Sequence, residues 1–165
     1  MRETIPTHEA GHAVLQIALG LGCERVTIVP DADSQGAAFH SGEYPEESAE
    51  LRAGAPGEFW LRHAVAMYAG AEAERQLGAE NWLAGAGDDY RNATDAINRI
   101  TDDGDSIDML FKLAKRRATL LVRYYWSEIT AVAKRLEEAR TLTGDQVKET
   151  VRASLERRGT PYRDW

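Results

Sequence analysis

The chain predicts a mostly helical α+β fold with one small β-hairpin near its start. Three observations carry that expectation. Apolar residues recur at helical spacing over most of the 165 residues. A single β-branched run, ERVTIVP at residues 24–30, is bounded by turn formers. A Thr143/Gln146 capping pattern opens a last helix near the end.

The elements follow in order. Residues 5 to about 21 read as a helix, with Pro6 tolerable because it falls in the first turn, and Gly20 and Gly22 ending it. Glu24 to Pro30 is a strand, residues 31–35 are a turn, and Gly36 to His40 is a second, weaker strand that completes the hairpin. Residues 41–47 form an acidic loop, and residues 48–54 a helical turn or two. A helix over 58–77 carries its stripe at 61, 64, 65, 68, 69 and 73. The glycine-rich stretch 78–87 is a loop, followed by a helix from Asp88 to about Thr101 and the turn DDGDS. A long helix from 106 to about 140 buries Leu110, Leu113, Ala114, Leu120, Leu121, Tyr124, Tyr125, Ile129 and Val132. The helix 144–158 closes the chain, which contains no internal repeat and no composition shift, so a single domain over 1–165 is expected.

Bulk properties narrow the function. The balance of 27 acidic against 20 basic residues, net −7, argues against nucleic acid and anionic membrane surfaces, which select for positive patches. The small basic group Arg152, Arg157, Arg158 and Arg163 reads as a solvated helix face. One cysteine, Cys23, cannot form an internal disulfide and fits a reducing compartment. No apolar run reaches the ~20 residues of a membrane span, and the start lacks a signal-peptide pattern. A cytoplasmic chain with no membrane anchor is expected, and a homo-oligomer is compatible with it.

The chemistry sits in THEAGHAV. His8 and His12, at i and i+4, stack on one helix face with Cβ atoms ~5–6 Å apart, so two imidazoles can take two corners of a tetrahedral zinc site. Glu9, rotated about 100° around the helix, stands beside the metal and can accept the proton of a zinc-bound water. Gly11, costly inside a helix, points to another backbone passing close behind. A third protein ligand is required. No histidine follows at the short spacing of the longer metzincin pattern, and spacing alone leaves Asp88, Asp89, Glu72, Glu74, His40 and His63 as candidates. His40 and His63 read as structural, and Trp60, Trp82, Tyr124, Tyr125 and Trp126 as packing.

Taken together, these segments resemble the peptidase domain of the membrane-anchored AAA+ proteases of the FtsH type. THEAGHA is similar to that family's zinc helix. RVTIVP followed by GAAF resembles its strand, turn and edge strand. YAGAEAERQLG resembles Tyr-Gly-Gly-Arg-x-Ala-Glu-Glu, and GAGDDYRNAT resembles Gly-Ala-x-Asn-Asp-(hydrophobic)-x-x-Ala-Thr. The likeness covers about residues 7–94 well and the helical remainder in outline. It implies a zincin-like metallopeptidase domain with a small sheet after the zinc helix and a C-terminal helical bundle. It also implies Asp89 as third zinc ligand and Glu74 as the carboxylate holding a ligand histidine. Asp88 stands where the family has asparagine, and Arg75 replaces the second glutamate of the Ala-Glu-Glu run. The family's ATPase module and membrane anchors have no counterpart here.

The expected function is an ATP-independent zinc endopeptidase of unstructured polypeptides. Its base is Glu9, and its substrate lies along the edge strand Gly36, Ala37, Ala38 and Phe39. The rival expectation is a non-catalytic binding or regulatory module that keeps a zinc site, with helix 106–140 as its partner surface. Glu9, which a purely structural site would not require, separates the two.

Overall fold

A computed structural model describes residues 4–30, 35–41, 55–80, 82 and 86–161. The expected loop 41–47 and the turns at 31–35 and 48–54 lie largely or wholly outside the described residues. Helix α1 (Ile5–Ala18) starts with Pro6 in its first turn and is buried almost all round. A helix buried on nearly every side belongs in the middle of a fold, and this one takes the polar Thr7, Glu9, His12 and Gln16 inside with it. Accordingly, Ala10, Ala13, Val14, Leu15 and Ile17 lie at the centre of the core. The helix ends three residues earlier than its sequence suggests, because Gly20 and Gly22 both adopt positive φ (73° and 71°).

Strands β1 (Arg25–Thr27) and β2 (Ala37–Phe39) form the expected hairpin, each shorter than its apolar run. A third strand, β3 (Thr141–Thr143), pairs with the other side of β1, giving the antiparallel order β2-β1-β3. Its three residues lie between a helix end and a cap, too short a stretch for strand periodicity to register. The register decides which main-chain groups remain available. Gly144 N donates to Glu24 O and Ile28 N to Arg140 O, so by strand alternation the main chain of Val26 faces β3. Arg25 and Thr27 therefore face β2, and the amide and carbonyl of Ala38, opposite Val26, point away from β1, the carbonyl accepting from Gln16 Nε2.

The expected helix 58–77 is two helices, α2 (Ala55–Met67) and α3 (Ala69–Leu77), separated at Tyr68. Gly78 ends α3 at φ 89°. Helix α4 (Gly87–Asn98) packs on α2. The expected helix 106–140 also divides, into α5 (Gly104–Tyr124), capped by Asp103 accepting from Ser106 N, and α6 (Trp126–Ala139). The break at Tyr125 lets the chain change partners: α5 lies against α2 and α3, whereas α6 lies against α1 and α7 (Gly144–Arg157). Leu113, Leu120 and Tyr124, expected on the buried side, are exposed. The inward face of α5 consists of Ala114, Ala118, Thr119 and Val122, small side chains that admit close packing. The capping box is formed as expected: Gln146 N donates to Thr143 Oγ1, and Thr143 N to Gln146 Oε1. The arrangement is α+β and mostly helical, with a small three-stranded antiparallel sheet. Among the described residues no helix is long and apolar enough to cross a membrane.

Candidate metal centre

Two elements converge at the start of α1. His8 and His12 project from it four residues apart, and Asp89 arrives from the first turn of α4. Asp89 Oδ2 lies 3.1 Å from His8 Nε2 and 3.2 Å from His12 Nε2, and the two Nε2 atoms are 3.0 Å apart. Two imidazoles and a carboxylate at the corners of such a triangle suit a cation. Bonds of ~2.0–2.1 Å in a tetrahedron place ligand atoms roughly 3.3 Å apart, so a few tenths of an ångström of spreading would admit zinc. Among the described residues this is the group of His, Cys, Asp and Glu side chains close enough to hold a metal ion.

Each histidine is held from behind. His12 Nδ1 donates to the carbonyl of Ala66 at 2.8 Å, which fixes the tautomer and leaves the Nε2 lone pair facing the cluster. In an unbroken helix that carbonyl would serve the Gly70 amide, so the tertiary bond coincides with the division between α2 and α3. His8 Nδ1 faces Glu74 Oε2 at 3.7 Å, an ion-pair contact rather than a hydrogen bond.

Charge in the cage is coupled. Burial lowers the His8 pKa, but Asp89, Glu74 and Glu9 more than reverse this and raise it to about 10. His12 is likewise raised against burial by Asp89. Burial pushes Asp89 up, yet the two imidazoles outweigh it and hold the carboxyl below its usual range. Glu74 shows the same balance, burial being outweighed by His8 and Thr4. Glu9 is buried and raised, chiefly by desolvation, with His12 and His8 partly offsetting it.

The other candidate ligands are placed elsewhere. The Asp88 side chain is 77% exposed and pairs with Arg91 at 2.5 Å. Glu72 is buried, but its carboxylate takes Arg75 Nε at 2.9 Å and Thr119 Oγ1 at 3.0 Å, tying α3 to α5. His40 and His63 meet each other edge to face, 5.7 Å between centroids, outside the cluster.

Strand β2 lies against the same helix. A Cβ built on Gly36 would stand 2.9 Å from Glu9 Cγ and from the Thr27 carbonyl, so only a glycine lets the chain pass so close to Glu9. Gln16 Nε2 reaches the Ala38 carbonyl at 3.3 Å, and the Arg25 guanidinium lies 4.3 Å from the Phe39 ring centroid. A Cβ on Gly11 would meet Ala69 O at 2.8 Å and Ala73 Cβ at 2.9 Å, so α3 does pass in backbone contact behind the motif. Sequence reasoning missed Ala66 and Gln16. A main-chain carbonyl leaves no trace in sequence. Gln16 did leave one, as the polar side chain in the apolar run 13–21, four residues after His12.

Comparison with models of known protein families found no match, and comparison with curated proteins found none either.

Proposed function

We propose that the chain is a zinc endopeptidase of zincin type, resembling the peptidase domain of the FtsH-type proteases, and that it cuts unstructured polypeptides without ATP. The observation that carries this reading is the convergence of His8 Nε2, His12 Nε2 and Asp89 Oδ2 within 3.0–3.2 Å, with Glu9 buried next to His8 on the same helix. A structural site would need the first three side chains but not the fourth.

Zinc held there by His8, His12 and Asp89 would supply a Lewis acid that lowers the pKa of water toward ~7. Glu9 accepts the proton lost as water attacks the scissile carbonyl and returns it to the leaving amine. Ala66 and Glu74 keep the imidazoles oriented, His12 through a fixed tautomer and His8 through charge. Strand β2 takes the substrate. With the Ala38 amide pointing away from β1 at the outer strand of the described sheet, an extended peptide can add by main-chain hydrogen bonds, and the glycine at 36 brings that strand against Glu9. Recognition through the main chain demands an extended substrate and reads its side chains loosely.

The test is digestion of casein and of a stably folded domain by zinc-loaded protein, with and without ATP. Casein should be cut in both conditions, the folded domain spared, and the His8→Ala/His12→Ala protein inactive and without stoichiometric zinc. Equal digestion of both substrates, or zinc retained by the double variant, would contradict the reading.

A further inference from the structure

Residues 66, 70 and 74 are spaced four apart across the α2–α3 junction, all beside the cluster. Ala66 offers its carbonyl to His12 Nδ1, Glu74 faces His8 Nδ1, and Gly70 lies between them. A methyl group built on Gly70 would stand 2.5 Å from Nε2 of His8, 2.5 Å from Nε2 of His12 and 2.6 Å from Cδ2 of His8. Non-bonded carbon and nitrogen do not approach so closely. Relief would require the imidazole tips to move, and His12 is held in place by its hydrogen bond to Ala66 O. A zinc ion would be held by the same two nitrogens, ~2.0–2.1 Å from each, so a methyl that pushes them aside disturbs the ligand set.

Helix formation supplies no reason for glycine here. Alanine is the better helix former, alanines stand on both sides at 69 and 71, and the backbone at 70 is not left-handed. Nor does the reason that accounts for Gly11 apply, since Gly11 meets backbone and Ala73 rather than ligands. We propose that Gly70 is a positioning residue of the metal centre. Its missing side chain is what lets the two imidazole nitrogens converge while each keeps its partner on α2 or α3. This rests on the reading of His8, His12 and Asp89 as a zinc site.

The experiment compares wild type with Gly70→Ala and Gly11→Ala. Three quantities are measured: zinc affinity by competitive chelator titration, visible absorption of the cobalt-loaded proteins, and thermal melting of the metal-free proteins. Gly70→Ala should melt within a few degrees of wild type without metal, because unliganded imidazoles can turn aside. Its zinc affinity should fall by about 100-fold, the upper range for loss of ligand support, and its cobalt bands should lose the tetrahedral signature. Gly11→Ala should lower the melting temperature and leave the cobalt bands of the folded protein unchanged. Zinc binding by Gly70→Ala within a few-fold of wild type, with the same cobalt spectrum, would overturn the proposal while leaving the zinc site standing. Failure of wild type to bind zinc would overturn the site and the proposal together. If Gly70→Ala does not fold, the same change is made in His8→Ala/His12→Ala protein. Recovery of folding there would uphold the imidazole contact, and continued failure would overturn it.

Discussion

Replacing Asp89 by asparagine should cost far more zinc affinity than the same change at Asp88. The two aspartates are adjacent, both in the first turn of α4, so each loses the same favourable interaction with the helix dipole, about 0.3–1 kcal/mol. Their surroundings differ. The Asp89 side chain is 18% exposed and faces both histidine Nε2 atoms, whereas Asp88 is exposed and pairs with the similarly exposed Arg91. Removing one partner from a buried ion pair costs about 3–5 kcal/mol of folding free energy, and loss of a carboxylate facing a bound cation in this partly buried cluster is set on the same scale. At 1.4 kcal/mol per tenfold, that is a loss of roughly a hundred- to a few-thousand-fold in affinity. An exposed ion pair contributes at most about 1 kcal/mol, so Asp88→Asn should change affinity by no more than a few-fold. Competitive chelator titration of the three proteins at one pH and ionic strength measures the difference directly. Equal losses would refute the assignment of Asp89 as a ligand and the geometry on which it rests.

Two further outcomes follow from other parts of the molecule. Burial, with His40 and His12 nearby, lowers the His63 pKa to about 4, below its unfolded value of about 6.5. The unfolded chain therefore takes up the proton first. The stability contributed by neutral His63 is complete above pH 6.5 and is lost as pH falls towards 4, by about 2 kcal/mol between pH 7 and 5. Urea denaturation of metal-free wild type and His63→Gln at both pH values should show the flatter profile in the variant, and parallel profiles would refute this. Ala38→Pro removes the outward amide of the edge strand, so KM for an extended peptide should rise while zinc affinity stays unchanged. Normal cleavage by a folded, zinc-loaded Ala38→Pro protein would remove β2 as the substrate strand.

The parts of the site that were legible in sequence are those encoded by local spacing. His8, Glu9 and His12 lie within one helix, where a four-residue interval has one geometric meaning. The position of Gly11 was informative for the same reason, because glycine is costly inside a helix unless something needs the space. Asp89 was not accessible to spacing, since it reaches the histidines from 77 and 81 residues away and only the packing of α4 on α2 brings it there. The breaks at Tyr68 and Tyr125 escaped periodicity too. Helical stripes continue across both, and what divides α5 from α6 is a change of tertiary partner. The exposed Leu113, Leu120 and Tyr124 show the converse failure. Large apolar residues at helical spacing suggested the inward face; of that set Ala114 is buried as expected, but Ala118 and Thr119 fill positions assigned to the larger residues.

Glu9→Gln tests the central claim most directly. The amide preserves the shape of the buried side chain against Gly36 but cannot accept a proton. Zinc content and casein hydrolysis are measured on the same preparations of wild type and variant. The account predicts about one zinc per chain in both proteins, hydrolysis by wild type, and none above background by the variant. Hydrolysis by Glu9→Gln within a few-fold of wild type, with zinc bound, would contradict it.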